Sequence, residues 1–251
     1  MRGSYQPVRF PGSLDEDAVL QELERLELST ARLPLSVVHL RKFSSLLHAP
    51  ILELDRIVRR VERDPLLAVS VLRLVTDEMA DVAPIRISDC IVLAGRDRLL
   101  ALAESENFAL AGTPAIDEFA ERSRVFSLNV SRLAASTRAV DPAAARLAGL
   151  LHALGEIPIL LSGRRLDHYL PATIAGWGKR LASSWRLPSA LVSAIAAYDT
   201  RVCEGTLDPM QLVIGAARRL VNCQTLEEAP AVVLFDCGER ASEEAKRPRL
   251  N

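Results

Sequence analysis

Residues 147–161 read LAGLLHALGEIPILL and form the most apolar stretch of the chain. The leucines at positions 147, 150, 151 and 154 recur at the spacing of one face of a helix. Gly155 is predicted to end that helix, since glycine is common just past a helix C-terminus. The stretch is interrupted by His152, Gly155, Glu156 and Pro158, and it falls short of the roughly 18 continuous apolar residues of a membrane span. It therefore predicts a buried helix in the core of a soluble protein.

Helix-start signals recur on both sides of this stretch. At four of them a capping side chain stands before a proline. The oxygen of the capping side chain accepts a hydrogen bond from an otherwise unpaired backbone N–H, and the proline, which has no N–H, loses no hydrogen bond there. The four pairs are Asp64-Pro65, Thr113-Pro114, Asp141-Pro142 and Asp208-Pro209. Further helix starts are predicted at Ser13 (with Glu16), Pro34, Ser88 and Pro188. Gly95 is predicted to end the helix that Ser88 begins.

Strand signals are almost absent, and the predicted fold class is all-α. Only Val232 to Phe235 is a candidate strand, and this run also fits a terminal helix or an extended edge. A change of composition near Gly112 and Thr113 divides the chain into two helical lobes. The predicted organisation is a tail over 1–12, an N-terminal lobe over 13–111, a second lobe with the C-terminal helices over 112–237, and a disordered tail over 238–251.

The composition excludes several classes of protein. Of 251 residues, 49% are hydrophobic, which is too many for a disordered chain. The 31 basic and 32 acidic residues give a net charge of -1, which argues against a generally polybasic nucleic-acid or membrane binder. The four cysteines form no CxxC, so a zinc knuckle is not indicated. The polar, proline-broken start at residues 1–11 does not resemble a signal peptide, and we expect a cytoplasmic protein.

An ordered set of segments resembles the HDOD domains of bacterial signalling proteins. The set comprises Leu33-Pro34, residues 64–75 (DPLLAVSVLRLV), residues 87–102 (ISDCIVLAGRDRLLAL), residues 147–161 and residues 185–188 (WRLP). Their order and spacing both fit, and the resemblance runs from about Leu33 to about Thr200. It implies a multi-helix, HD-domain-like fold in two lobes, of which 112–237 is the HD-like lobe. It also implies a regulatory role in signal transduction.

The resemblance further implies where metal ligands would stand, because HDOD domains are related to HD phosphohydrolases. His152 matches the histidine of the HD pair, but Ala153 replaces the aspartate. Phe126 and the pair Thr173-Ile174 stand where further histidines are expected. The last histidine is expected near Tyr198-Asp199, where only Asp199 could ligate a metal. A metal that activates water needs about three protein ligands. We therefore predict a pseudo-enzyme with no metal, no cofactor and a degenerate pocket of His152, Asp199, Tyr198 and Phe126. His152 itself is interpreted as a half-buried histidine bonded to a backbone carbonyl or to water.

Two groups of arginines are candidate contacts for phosphate or for a partner. Arg56, Arg59, Arg60 and Arg63 are spaced to share one helix face, and Arg96 and Arg98 lie beside the Gly95 turn. The simpler interpretation is a solvated face paired with Glu53, Asp55, Glu62 and Asp97. The alternative is a strip that binds phosphate or an acidic partner, since arginine forks suit both groups. No GxSxG, GxGxxG or GxxxxGK[ST] motif occurs, so an α/β-hydrolase, a dinucleotide-binding enzyme and a P-loop nucleotide-binding protein have no support.

These observations favour a non-enzymatic signal-transduction protein that acts through contacts with another signalling protein. The alternative is a sensor of a nucleotide or cyclic dinucleotide in the degenerate pocket. A residual metal-dependent phosphohydrolase and a DNA-binding regulator are weaker alternatives. Nucleic acid and membranes are not expected partners, because the net charge is near zero and no membrane span is present.

Overall fold

The computed structural model describes residues 13–28, 33–76, 86–105, 108–110, 114–198 and 208–222. Over these residues the fold is all-α, as the sequence predicts. The helices are α1 (Ser13–Glu27), α2 (Val37–Leu47), α3 (Leu54–Val61), α4 (Pro65–Thr76), α5 (Ile87–Glu104), α6 (Pro114–Thr137), α7 (Pro142–Leu151), α8 (Ile157–Leu161), α9 (Pro171–Ser184), α10 (Ser189–Ala196) and α11 (Pro209–Asn222). Short 3-10 turns occur at Leu154–Glu156 and Leu166–His168.

Two three-residue strands, which the sequence analysis did not anticipate, form a parallel pair. They are β1 (Leu33–Leu35) and β2 (Phe108–Leu110), with Leu33 opposite Phe108. Pro34 was predicted to begin a helix; that prediction is wrong, because Pro34 lies inside β1 and α2 begins at Val37. A three-residue strand is too short to show an alternating pattern, so only the pairing reveals it. The candidate strand at Val232 to Phe235 lies outside the described residues.

The caps before proline are confirmed where the structure describes them. Asp64 Oδ1 accepts hydrogen bonds from the backbone N–H groups of Leu66 and Leu67, and Asp141 Oδ2 accepts one from Ala144. Asp208 caps α11 in the same way, while Thr113 lies outside the described residues. The predicted cap at Ser88 is wrong, because α5 begins one residue earlier with Arg86 at its N-cap.

The two singled-out glycines have different structural roles. Gly95 has a φ of 73°, which breaks α5 into two helical halves, as a left-handed residue does. Gly155 does not end the preceding helix, which stops at Leu151. Instead, a Cβ placed on Gly155 would lie 1.9 Å from the carbonyl oxygen of Ile174 in α9. The prediction of a helix stop at Gly155 is therefore wrong, and the glycine permits two backbones to approach closely.

One hydrophobic core runs through both lobes. In the first lobe α4 packs on α5, and in the second α6 packs along α7. Helix α1 falls in the first lobe of the sequence-based division, and its main contacts are with α8 and α9. The stretch Pro142–Leu161 is long and apolar enough to span a membrane by length and composition alone, yet 83% of its most apolar window is buried inside the protein. Such burial is typical of a core helix in a soluble protein.

Candidate functional site

A pocket of about 410 Å³ opens between α6, the end of α7 and α11. It is lined by Glu121, Arg122, Ser123, Val125, Phe126, Asn129, His152, Ala153, Glu156, Arg218 and Val221. The pocket contains two of the four residues predicted for the degenerate HD site, His152 and Phe126. Tyr198 stacks on His152 at its edge, whereas Asp199 lies outside the described residues.

His152 is buried and sandwiched between aromatic rings. Its ring centroid lies 3.9 Å from that of Phe126 and 5.9 Å from that of Tyr198, and both pairs are stacked. Nδ1 donates a hydrogen bond to the Gly149 carbonyl over 2.8 Å, which fixes the proton on Nδ1. This confirms the predicted bond to a backbone carbonyl, whereas the predicted half-burial is wrong, because His152 is only 7% exposed. Burial lowers the pKa of His152 to about 3, aided by the charges of Arg218 and Arg122, so the ring is neutral at physiological pH.

Glu156 is the buried acid of the pocket, and both of its oxygens are occupied. Oε2 pairs with Arg122 over 2.7 Å, and Oε1 accepts the hydroxyl proton of Tyr198 over 2.9 Å. The Arg218 guanidinium covers the Tyr198 ring, 3.7 Å from its centroid. Burial, followed by the Glu156 charge, raises the pKa of Tyr198, so its hydroxyl stays protonated. An aromatic stack and a closed polar network thus form the base of the pocket.

Arg122 and Glu156 were not among the site residues predicted from the sequence. A signal existed for Glu156, because a carboxylate within the apolar stretch 147–161 requires a partner when that stretch is buried. The partners themselves are Arg122 of α6 and Tyr198, which follows α10, and they lie 34 and 42 positions away in sequence, where no local pattern reveals them. The network is therefore visible only after folding.

Comparison with known proteins gives the family. The family model of the HDOD domain matches residues 33–165. This chain belongs to the HDOD domain family. No curated protein matches the sequence. Among solved structures, the MmoQ response regulator of Methylococcus capsulatus strain Bath matches 83% of this chain and 90% of its own, with 15% identity and a TM-score of 0.62. A second MmoQ structure gives 16% identity, 84% and 99% coverage and a TM-score of 0.59.

An HDOD domain protein with unknown function from Geobacter sulfurreducens is also similar. Its identity is 16%, it covers 90% of this chain and 89% of its own, and its TM-score is 0.40. Identities this low indicate a shared fold and nothing finer. The family and fold expected from the ordered motifs are confirmed by the family match and by MmoQ.

The residues of this HDOD pocket do not fit the metal centre of the related HD phosphohydrolases. His152 has only Nε2 left, because Nδ1 holds the Gly149 carbonyl. The Glu156 oxygens are engaged by Arg122 and Tyr198, and Phe126 covers one face of the imidazole. Within the described part of the chain, no group of three or more His, Cys, Asp and Glu side chains is placed to hold a metal. A water-activating metal needs about three ligands, so this donor set is too small.

The six arginines predicted as contacts for phosphate or for a partner divide into two sets. Arg56, Arg59, Arg60 and Arg63 line a second groove, of about 400 Å³, together with Lys42, Ser45 and Leu46 of α2. They are not equivalent on one face, because Arg60 is buried and Arg63 lies beyond the end of α3. Arg96 and Arg98 do not line this groove and donate instead to the carbonyl oxygens of Ala49 and Leu74. Of the carboxylates suggested as partners, Glu53 pairs with Arg56, while Glu62 pairs with Arg146.

Proposed function

We propose that this HDOD protein is a non-enzymatic, cytoplasmic regulator of bacterial signal transduction that acts through contacts with another protein. The observation that carries the proposal is the base of the pocket, where His152 stacks with Phe126 and Tyr198, and Arg122 forms an ion pair with Glu156. These contacts occupy the groups that metal-dependent hydrolysis would require. MmoQ, which shares the fold, is described as a response regulator, and that description agrees with a signalling role.

Converting the pocket into a metal centre would break contacts that stabilise the folded protein. To free Glu156, an ion pair of 2.7 Å and a hydrogen bond of 2.9 Å would have to break within a buried site. Freeing Nδ1 of His152 for a metal would break its hydrogen bond to the Gly149 carbonyl. Even then, only one imidazole and one carboxylate among the described residues would face the metal. Protein contacts require none of these changes.

A hydrolysis assay tests the non-enzymatic part. The full chain is incubated with Mn²⁺, Fe²⁺ or Mg²⁺ and with bis(p-nitrophenyl) phosphate or cyclic dinucleotides. We expect no turnover above that of the metal in buffer. Metal-dependent turnover that disappears in His152→Ala and persists in His168→Ala would overturn the proposal. His168 is a suitable control because its side chain is 60% exposed and lies outside the pocket.

A binding experiment tests the protein contacts. The tagged chain is cross-linked in its native cytoplasm, purified after nuclease treatment and analysed by quantitative mass spectrometry. We expect one protein in stoichiometric amount, and the purified partner should then bind the purified chain in calorimetry with a fixed ratio. If the cross-linked material contains this chain alone, the contact hypothesis fails.

A second candidate function is a small-molecule sensor in the same pocket. An apolar wall that includes Val125 and Phe126 faces the polar groups of Arg122 and Arg218, an arrangement typical of ligand sites. The hydroxyl of Ser123 also lines the pocket and has no hydrogen-bond partner among the described residues. A nucleotide or cyclic dinucleotide would place its phosphate near the two guanidinium groups.

Calorimetry at high micromolar concentration of cyclic dinucleotides and nucleotides tests this candidate. We expect binding by the wild type that is lost in Arg218→Met and kept in Arg219→Met. Arg219 is the matched control, because it follows Arg218 on α11 and does not line the pocket. An absence of heat with every compound, or equal binding by the two variants, would exclude it.

A further inference from the structure

The second groove, between α2 and α3, is strongly cationic. We call it the basic groove and define it by its lining residues, Lys42, Ser45, Leu46, Arg56, Arg59, Arg60 and Arg63. Five of these seven side chains are cations, and none is acidic or aromatic. Glu53 pairs with Arg56 over 2.9 Å, and Arg59 uses Nε to bond the backbone carbonyl of Asp55. The groove therefore concentrates positive charge in a chain whose net charge is only -1.

Arg60 is the unusual member, because it is a buried cation with unused hydrogen-bonding capacity. The residue is 7% exposed. Nε donates to the carbonyl oxygen of His39 over 3.4 Å, whereas the buried Nη2 has no partner among the described residues. Burial and then the charge of Arg63 lower the pKa of Arg60, and the charge of Asp64 opposes them. A buried guanidinium with an unsatisfied N–H is costly unless an anion reaches it.

Two carboxylates close to Arg60 in sequence, Asp64 and Glu62, are already engaged by other groups. Asp64 accepts two backbone N–H bonds at the start of α4, and its other oxygen lies 2.9 Å from Nδ1 of His39. Glu62, next to it in sequence, points its carboxylate to Arg146 over 3.0 Å. Neither acid lines the basic groove. Glu53 thus pairs with Arg56, while no acid is among the described residues that line the basic groove.

We propose that the basic groove binds a small compound bearing two or more linked phosphates, which supplies the missing counter-charge. Arginine forks match phosphate oxygens in geometry and charge, and Lys42 adds a point charge. The volume of about 400 Å³ lies in the range of small-molecule sites. Since no lining side chain is aromatic, no base-stacking platform is present, and the phosphates rather than a nucleobase are recognised.

Calorimetry on the full chain at low salt tests the proposal, with inorganic pyrophosphate and tripolyphosphate as probes and sulfate at equal ionic strength as the specificity control. We expect saturable binding of the polyphosphates that is weakened about tenfold or more in Arg63→Ser. Binding should be unchanged in Arg132→Ser, since Arg132 is an exposed arginine on α6 outside the groove. No heat, an equal response to sulfate, or equal loss in the two variants would overturn it.

Arg60→Met separates ligand binding from a structural role of the buried guanidinium. We expect added pyrophosphate to raise the melting temperature of the wild type. The melting temperature of Arg60→Met should be the same with and without pyrophosphate. If Arg60→Met does not fold, the exposed double variant Arg59→Ser/Arg63→Ser replaces it in the same comparison. A short DNA duplex is added as a competitor: duplex binding without pyrophosphate binding would assign the groove to a nucleic-acid backbone instead and would overturn the proposal.

Discussion

The imidazole of His152 is held in its neutral form mainly by burial. Phe126 and Tyr198 stack on the ring, and the nearby positive charges of Arg218 and Arg122 also disfavour protonation. The hydrogen bond that Nδ1 donates to the Gly149 carbonyl favours the protonated form, but burial outweighs it. A histidine in this setting is a packing residue with one fixed hydrogen bond. Its strongest measurable property is its resistance to protonation.

This resistance predicts an acid sensitivity that belongs to His152. The folded pKa of about 3 lies below the ordinary value of 6.5, so between these values the unfolded chain binds a proton that the folded chain does not. Stability is therefore lost as pH falls from 6.5 towards 3, by about 1.4 kcal/mol per pH unit from this group. Urea unfolding of the wild type and of His152→Gln at pH 7, 6, 5 and 4 measures it.

The stability difference between wild type and His152→Gln should shift in favour of the variant at each step towards acid. His168→Gln, which removes an exposed histidine outside the pocket, is the control for the loss of a histidine. If the wild-type and His152→Gln curves were parallel, the pKa of His152 would be the same in the folded and unfolded chain, and the buried neutral arrangement would be refuted.

At the scale of elements, the turn after α7 and helix α9 meet backbone to backbone. The position of a Cβ on Gly155 would fall 1.9 Å from the Ile174 oxygen and 2.8 Å from the Gly178 nitrogen. Gly178 is itself confined, by the Ile195 side chain of α10 at 2.8 Å from its Cβ position. The pocket depends on this contact, because the same turn carries His152 on one side and Glu156 on the other.

Gly155→Ala should therefore push α9 away and destabilise the protein by about 3 kcal/mol, since the obstructing atoms are backbone and do not rotate aside. Gly176→Ala is the matched control in α9, where a Cβ meets nothing within 4 Å. It should be neutral or stabilising by up to about 1 kcal/mol, because alanine favours helix. Denaturant midpoints measure both. Equal midpoints for the two variants would contradict the close approach.

At the scale of the molecule, polar links join the two lobes over their shared core. Glu62, after α3, pairs with Arg146 of α7 over 3.0 Å, and Arg86, before α5, binds both oxygens of Asp141. Burial raises the pKa of Glu62, and Arg146 opposes that shift. The Glu62 side chain is only 10% exposed, so its charge depends on Arg146. Relative placement of the lobes thus rests partly on a buried ion pair.

Arg146→Leu should destabilise the protein by about 2 kcal/mol at pH 7.5, because it leaves the Glu62 carboxylate buried without its counter-charge. At pH 5 the loss should be smaller, since the raised pKa of Glu62 lets the group bind a proton and stay neutral. The double variant Glu62→Gln/Arg146→Leu should recover much of the stability at pH 7.5. Chemical unfolding at both pH values tests this, and a pH-independent loss with no recovery would contradict it.

Much of the fold was predictable from local signals. Asp64, Asp141 and Asp208 were correctly placed as caps, because a cap involves only residues up to three positions away. Pro34 was misjudged, since its strand exists only through pairing with residues 108–110. Of the site, His152, Phe126 and Tyr198 were grouped through the family resemblance. Arg122 and Glu156 were missed, because their partnership spans 34 positions in sequence.

By itself, the sequence determined the all-α class, the helix starts at Asp64, Asp141 and Asp208 and the HDOD family, because periodicity, caps and ordered motifs are encoded over short ranges of the chain. Only the tertiary structure decided which polar groups neutralise one another. It paired Arg122 and Tyr198 with Glu156 and Arg146 with Glu62, and it buried Arg60 with an Nη2 that has no hydrogen-bond partner among the described residues. Electrostatic pairing and burial depend on distances across the folded molecule, and these distances are set when the helices pack.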